Sequence, residues 1–275
     1  MADNALGEYL RARRELLRPS DLGLVETGPP RRVIGLRREE VAILAGISTD
    51  YYLRLEQGRD VSPSEQVIAA LARALRLGPA SEEFLHRIVR PLPDRGYAGR
   101  HNPESADRIS AFVAALTTPA FAHDRVLDVI VSNGPARAIS PSFVPGVNLI
   151  TAAFLDPDLR RLYENWEEMT GRLVSYLRAQ AVTPPLDPRL PALVDGLAER
   201  SSRFAELWAR QEVGASSSGV NQLNHPLAGR LKLNFERVCF AGTDHPVILI
   251  YHADPGSQSQ VALTTLLAST NATPD

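Results

Sequence analysis

Apolar side chains in the first ninety residues recur at helical spacing, and no stretch shows the alternation of a strand. We predict five short helices, the first over 4–18, the second over 36–46 and the third over 49–57. The apolar positions are Leu6, Leu10 and Leu17, then Val41, Leu44 and Ala45, then Val67, Ile68, Leu71 and Leu75, and finally Phe84, Leu85, Ile88 and Val89.

Turn and capping residues separate these helices. Gly46 can take a positive φ at the end of the second helix, Ser48 is a suitable N-cap for the third, and the third stops at Gly58. In Ser62-Pro63-Ser64-Glu65, the first serine predicts the N-cap of the fourth helix, with the proline at its first position and the glutamate at its third.

A stretch rich in proline and glycine, RPLPDRGYAGRHNPES at 90–105, has no periodicity and predicts a boundary. We therefore divide the chain into a domain over 1–90, a linker over 91–105, a second domain over 106–268 and a disordered tail over 269–275.

The second domain mixes helices and strands. A helix around Ile109 to Leu116 leads into a predicted hairpin, PAFAHDRVLDVIVSN, and then an irregular run to about residue 150. Alternation over 231–236 predicts a half-exposed strand, whereas PVILIY at 246–251 suits a central strand. Two long helices, the first opening at Asp156-Pro157, are marked by Leu159, Leu162, Trp166, Met169, Leu173 and Leu177, and by Leu190, Leu193, Leu197, Phe204, Leu207 and Trp208.

Length and composition fit a globular protein of two domains, with 275 residues, 44% of them hydrophobic. The net charge of −2 argues against unspecific coating of nucleic acid, yet residues 11–59 hold ten arginines against seven acids. Cys239 is the single cysteine, which excludes an internal disulfide, and its apolar neighbours predict a buried thiol. No apolar run is long enough for a bilayer, so a cytoplasmic location is expected.

Catalytic arrangements are not recognisable in the sequence. The six histidines lack metal-ligand spacing, and the serine run GASSSG lacks the order of a nucleophile elbow. Glu167 and Glu168 are adjacent on a predicted helix, so they point about 100° apart and cannot face each other across a substrate. We expect no enzymatic activity, no metal and no cofactor.

The segment 37–58 predicts a helix, a glycine turn and a second helix. In this arrangement the second helix can enter the major groove of DNA. The chain resembles the helix-turn-helix of the Cro/repressor (XRE) family over about residues 4–78, and its third helix ends in the family's run Leu55-Glu56-Gln57-Gly58. The resemblance implies an all-α domain that binds a double-stranded DNA operator as a homodimer. It also implies that Arg14 and Glu56 pair with each other.

Carried onto this chain, the resemblance implies that Val41, Ala45, Ile47, Tyr52 and Leu55 face the core. Arg54 is predicted to contact a base edge or a phosphate, the alternative being a solvated surface charge; for Tyr51 the alternative is partial burial. Two arginines in the arm at 19–35 either enter a minor groove or belong to an ordinary loop. The predicted DNA-binding residues are Arg31, Arg32, Arg37, Arg38, Ser48, Thr49, Asp50, Tyr51, Arg54 and Arg59.

The phrases LDVIVSN (127–133), NLITAAFLDPDLRRLYENWEE (148–168), ERSSRFAELWARQEV (199–213), NHPLAGRLKLNFE (224–236) and LIYHADPGS (249–257) resemble the ligand-binding domain of MmyB-type regulators. That resemblance implies a PAS-like α/β fold with an antiparallel sheet, which makes the whole chain α+β. The chain departs from the family pattern at Ser132 and Val147.

An apolar small molecule is the implied ligand of this second domain, with fatty acids among the candidates. The residues predicted to contact it are Asn133, Leu162, Trp166, Met169, Leu173 and His225. Each has a structural alternative: the helical stripe as core facing the sheet, and the asparagine as a turn-former. For the whole domain, the alternative is a role in dimerisation or protein–protein contact alone.

Overall fold

The computed structural model describes residues 4–23, 34–59, 62–90, 103–183, 186–214, 217–240 and 246–271. These fall into two compact units. The first comprises Met1–Arg95, Arg178–Leu186 and Ala205–Gly214, and the second comprises Gly96–Leu177, Asp187–Phe204 and Ala215–Asp275. Within the described ranges, no helix combines the length and the hydropathy that crossing a bilayer requires.

The first unit contains the five predicted helices. They are α1 (Ala5–Leu16), α2 (Arg38–Ala45), α3 (Thr49–Glu56), α4 (Glu65–Ala74) and α5 (Pro79–Val89), with a short 3₁₀ turn at Pro19–Leu22. The predicted apolar positions meet in one core, in which Tyr9, Leu10, Tyr52, Leu55 and Leu71 are fully buried. The prediction was wrong for Leu44, which is exposed because the buried side of α2 is formed by Val41, Ala42 and Ala45.

One cap prediction was wrong. The fourth helix begins at Glu65, and its N-cap is Ser64, whose hydroxyl accepts a hydrogen bond from the Val67 amide. Ser62 and Pro63 therefore precede the helix. Ser64 directly precedes the first helical residue, so its hydroxyl reaches the amide three residues later.

The second unit is built on a five-stranded antiparallel sheet of order β2-β1-β5-β4-β3. The strands are β1 (Ala120–His123), β2 (Val129–Ser132), β3 (Ser218–His225), β4 (Gly229–Val238) and β5 (Val247–His252). The predicted hairpin is β1–β2, the predicted alternating strand is β4, and the PVILIY strand is the central β5, so these predictions and the α+β class are confirmed.

Helices of the second unit are shorter and more numerous than the sequence predicts. They are α6 (Pro103–Ala115), α7 (Gly134–Ile139), α8 (Leu149–Leu155), α9 (Pro157–Leu162), α10 (Trp166–Gln180), α11 (Leu190–Arg200), α12 (Ser202–Ala209) and α13 (Gln258–Asn271). α10 and α12 each extend into the first unit. α7 lies in the run predicted to be irregular, and α8 begins where that run was predicted to end. The helix predicted from Leu190 to Trp208 is interrupted at Ser201, which has an extended backbone.

The long helix predicted from Asp156 is broken after Leu162 because the chain meets the edge strand β3 there. Tyr163 forms a β-bridge with Leu223, and the Glu164 amide donates to the Gln222 carbonyl oxygen at 2.8 Å. The exposed groups of an edge strand need partners, and this segment supplies them.

Three further predictions fail or fall outside the described ranges. Cys239 is exposed, because β4 ends one residue earlier. The predicted disordered tail begins inside α13, which continues to Asn271, while 272–275 are outside the described residues. Most of the predicted linker, 91–102, is also outside them.

Candidate functional site

The turn between α2 and α3 has the geometry that the sequence predicts. Gly46 has a φ of 66°, a left-handed conformation that glycine adopts without strain. The Ser48 hydroxyl accepts a hydrogen bond from the Tyr51 amide at 3.1 Å and so caps α3. Because Tyr52 and Leu55 are buried on the inner face of α3, its opposite face is left to solvent.

That outer face carries the predicted recognition residues. Ser48, Thr49, Asp50 and Arg54 are exposed, and Tyr51 is half-buried. Arg54 forms an ion pair with Asp50 at 3.1 Å, and its guanidinium lies 5.5 Å from the centre of the Tyr51 ring. Five predicted residues are therefore brought together on a single helix, with hydrogen-bond donors and acceptors that could read base edges.

Beneath this face, the Glu56 carboxylate binds two arginines from different helices. Arg14 Nε donates to Glu56 Oε1 and Arg38 Nε donates to Glu56 Oε2, both at 2.6 Å. Arg14 also donates to the Leu36 carbonyl oxygen at 2.8 Å, so it ties α1 to the start of α2 and the end of α3. The predicted pairing of Arg14 with Glu56 is confirmed.

Electrostatics favour the charged form of this group. Burial would raise the pKa of Glu56, but the hydrogen bonds from Arg14 and Arg38 outweigh it and hold the pKa below its ordinary value. The side chains of Arg14 and Glu56 are 6% and 2% exposed, whereas that of Arg38 is 46% exposed. Arg38 is thus held at Nε while nearly half of its side chain remains exposed.

The remaining arginines that were predicted to bind DNA lie outside α3. Arg37 caps α2 and lies 3.8 Å from Glu39, and Arg59 is exposed just after α3. Arg31 and Arg32 lie outside the described residues. Sequence reasoning missed the contact between Arg38 and Glu56, because two side chains 18 residues apart give no periodic signal.

In the second unit, the predicted apolar stripe is only partly buried. Leu162 and Met169 are buried, whereas Trp166 and Leu173 are half-buried. The Trp166 indole donates to the Ala153 carbonyl oxygen at 2.8 Å. Its ring is also contacted by two guanidinium groups, those of Arg160 at 4.4 Å and Arg203 at 4.8 Å. Trp166 therefore stands at a boundary between apolar and charged surroundings.

The two polar residues of the predicted ligand set are engaged by the protein itself. Asn133 Oδ1 accepts from the amides of Ala120 and Ala136. His225 donates from Nε2 to the Ala138 carbonyl oxygen at 3.0 Å, and its Nδ1 accepts from backbone amides of the β3–β4 turn. His225 is the last residue of β3. Asn133 Nδ2 donates in addition to the carbonyl oxygens of Val113, Leu116 and Thr118.

An open depression of about 270 Å³ lies elsewhere on the second unit. It is bordered by α8, the segment before it and one residue of α11. The lining residues are Val147, Asn148, Thr151, Ala152, Leu155, Asp156 and Arg200. None of the six predicted ligand residues is among them. A ligand site built from the predicted residues would therefore lie outside this depression.

Comparison with protein-family models assigns both parts of the chain. Residues 5–85 match a helix-turn-helix domain, and residues 106–267 match the MmyB-like transcription regulator ligand binding domain. The chain belongs to the MmyB-like transcription regulators. A comparison with curated proteins finds no match.

As an MmyB-like regulator, the protein is a DNA-binding transcription regulator with a ligand-sensing domain. The family match gives the exposed face of α3 its context, since the second helix of a helix-turn-helix is the one that enters the major groove. It assigns the five-stranded sheet and its helices to ligand binding without naming a ligand.

Proposed function

We propose that this MmyB-like regulator reads its operator as a homodimer through the α3 face, and that its second unit senses an apolar small molecule such as a fatty acid. The observation that carries the DNA part is the exposed set of Ser48, Thr49, Asp50 and Arg54 on a capped helix. The half-exposed Arg38, held at the start of α2, is suitably placed to contact a phosphate.

Two-fold operators require two copies of the domain, with half-sites about 34 Å apart along the duplex. Control follows if the ligand favours one of two dimer arrangements. A typical coupling free energy of about 1–3 kcal/mol would change operator affinity by roughly 5- to 150-fold.

Support for an apolar ligand comes from the aromatic content beneath the sheet. The rings of Phe121 and Phe143 lie 4.7 Å apart, and Tyr251 is within about 6.3 Å of both. Ligand sites are mostly apolar with a few polar groups, and this region of the second unit has that character.

The experiment measures thermal stability and binding to genomic DNA fragments, with and without fatty acids of medium and long chain. Met169→Trp adds volume at a buried position of α10 and should block the ligand, at a stability loss of about 1–3 kcal/mol if the site is solid core. Val174→Trp, at another buried position of α10, is the matched control for overpacking. If no apolar compound changes either property of the wild type, the second unit serves dimerisation or protein contact instead.

A further inference from the structure

The C-terminal end of α10 belongs to the first unit, although the helix begins in the second. Its residues 166–177 are part of the second unit, and Arg178–Leu186 are part of the first. Both stretches lie inside the range that matches the ligand binding domain. The helix that carries Trp166 and Met169, two of the predicted ligand residues, therefore continues into the unit that contains the helix-turn-helix.

α12 is divided in the same way, because its residues from Ala205 onward lie in the first unit. The buried Arg178 joins the ends of the two helices. Its guanidinium lies 3.4 Å from the centre of the Trp208 ring and donates to the Trp208 carbonyl oxygen at 2.5 Å. These contacts hold the segments 178–183 and 205–213 together, and we term the two segments the docked ends.

The docked ends pack against the core of the five N-terminal helices. Val182 and Val213 contact the apolar cluster that α1 to α5 form. Arg87 of α5 donates from Nη1 to the Thr183 hydroxyl at 3.0 Å, and that hydroxyl donates to the Ala179 carbonyl oxygen at 2.7 Å. Since Ala179 lies in the last turn of α10, the Thr183 hydroxyl connects the end of this helix to α5.

From α5 the contacts continue through α1 to α3. The Tyr9 hydroxyl of α1 donates to the Ser81 carbonyl oxygen of α5 at 3.1 Å, and the rings of Tyr9 and Phe84 lie 5.1 Å apart. At the start of α1, Asn4 Nδ2 donates to the Glu56 carbonyl oxygen at 2.9 Å, in the last turn of α3. A shift of the docked ends therefore reaches α3 through groups that are in direct contact.

We propose that the docked ends couple ligand binding to operator binding: a ligand held beside α10 changes how these ends pack on α5, and this change moves α3. The inference rests on the proposed function and names the route by which the second unit regulates the first. A ligand shifts operator affinity only if it favours one packing of a two-state element over the other. Small shifts of packed helices are among the known allosteric transitions, and the docked ends are such helices.

The test compares Thr183→Val with Thr183→Ser in the full chain. Valine keeps the shape of threonine and removes the hydroxyl that joins Arg87 to α10, whereas serine keeps the hydroxyl. Arg87 pairs with Glu83 at 2.5 Å on its own helix, so the loss of the hydroxyl does not leave it without a partner. A second variant, Val182→Ala combined with Val213→Ala, weakens the apolar part of the same contact.

Two properties are measured for each protein, with an operator duplex obtained by binding-site selection. The first is the ratio of the operator dissociation constants without and with dodecanoate, together with the dissociation constant of dodecanoate in the absence of DNA. The second needs no ligand: hydrogen exchange of peptides covering 166–177 and 178–183 is followed by mass spectrometry, with and without the duplex. Because coupling is reciprocal, operator binding must also affect the part of α10 in the second unit.

In the wild type, dodecanoate should change operator affinity by roughly 5- to 150-fold, and the operator should change the exchange of 166–177. Thr183→Val and the double valine variant should lower the affinity ratio by about fivefold or more and abolish the change in exchange. Both should bind dodecanoate within about twofold of the wild type, because the docked ends lie outside the predicted ligand residues. Thr183→Ser should behave as the wild type does.

Other results have distinct meanings. A wild-type affinity ratio in both Thr183→Val and the double valine variant would overturn the proposal and leave ligand sensing intact. If dodecanoate has no effect on the wild type, the proposed sensing of a fatty acid is contradicted, and hydrogen exchange decides the coupling. A change at 166–177 that Thr183→Val abolishes would then support it, and no change on operator binding would refute it. If Thr183→Val does not fold, the double valine variant against Thr183→Ser gives the same decision.

Discussion

Replacing Glu56 by glutamine tests how strongly the helix-turn-helix depends on one buried carboxylate. The substitution keeps the size and shape of the side chain and removes its charge. It leaves Arg14, whose side chain is 6% exposed, without a counter-charge, and it weakens the hold on Arg38, which is 46% exposed.

The magnitude follows from these exposures. Removing one partner of a buried ion pair destabilises by about 3–5 kcal/mol, because the other charge stays buried without compensation. The half-exposed Arg38 pair should add no more than about 1 kcal/mol. A domain of this size has a total stability of roughly 5–13 kcal/mol, so Glu56→Gln should remove a large part of it.

Hydrogen exchange of the full chain, read by mass spectrometry on peptides covering α1 and α3, measures this local stability. Arg38→Met is the matched control and should change protection by about 1 kcal/mol or less. Replacing both Arg14 and Glu56 by methionine should recover most of the loss, since no buried charge is then left over. Protection unchanged in Glu56→Gln would refute the assignment of Glu56 as the group that holds α1 to α3.

Three other outcomes are expected. Arg54→Ala should weaken specific operator binding by about 1–3 kcal/mol and relax preference at one base pair in a binding-site selection, whereas an equal loss on every sequence would make Arg54 a phosphate contact. Burial, assisted by Arg237, lowers the pKa of His123 to about 3. His123 is therefore protonated at a lower pH in the folded state than in the unfolded state. As the pH falls below about 6.5, the free energy of unfolding should decrease by about 1.4 kcal/mol per pH unit. Thermal melts between pH 7 and 5 measure that slope, and His123→Gln should flatten it; an equal slope in the variant would contradict the assignment. A Cβ at Gly7 would lie 2.2 Å from the Glu56 carbonyl oxygen, so Gly7→Ala should destabilise the first unit in denaturant titrations, although alanine alone favours a helix by about 1 kcal/mol; stabilisation would show that α1 can move away from α3.

Much of the exposed face of α3 could be predicted from the sequence because its determinants are local. Gly46 and Ser48 act through the backbone of their own turn, and their chemistry is the same wherever such a turn occurs. Tyr52 and Leu55 repeat at the helical spacing, which determines that Asp50 and Arg54 lie on the opposite side. The alternation of apolar and polar residues likewise predicted the buried side of β4, where Leu231, Leu233 and Phe235 are buried.

Tertiary structure decided where local patterns end. Leu162 and Trp166 continue one helical repeat in the sequence, yet the helix breaks between them, because the backbone of β3 offers hydrogen bonds that a continuous helix could not satisfy. Tyr163, Asn221 and Tyr251 meet in the same way across 88 positions of the chain. No periodicity links such residues, since their contact depends on the order of strands in the sheet, and that order is settled by packing and hydrogen bonding of the whole unit.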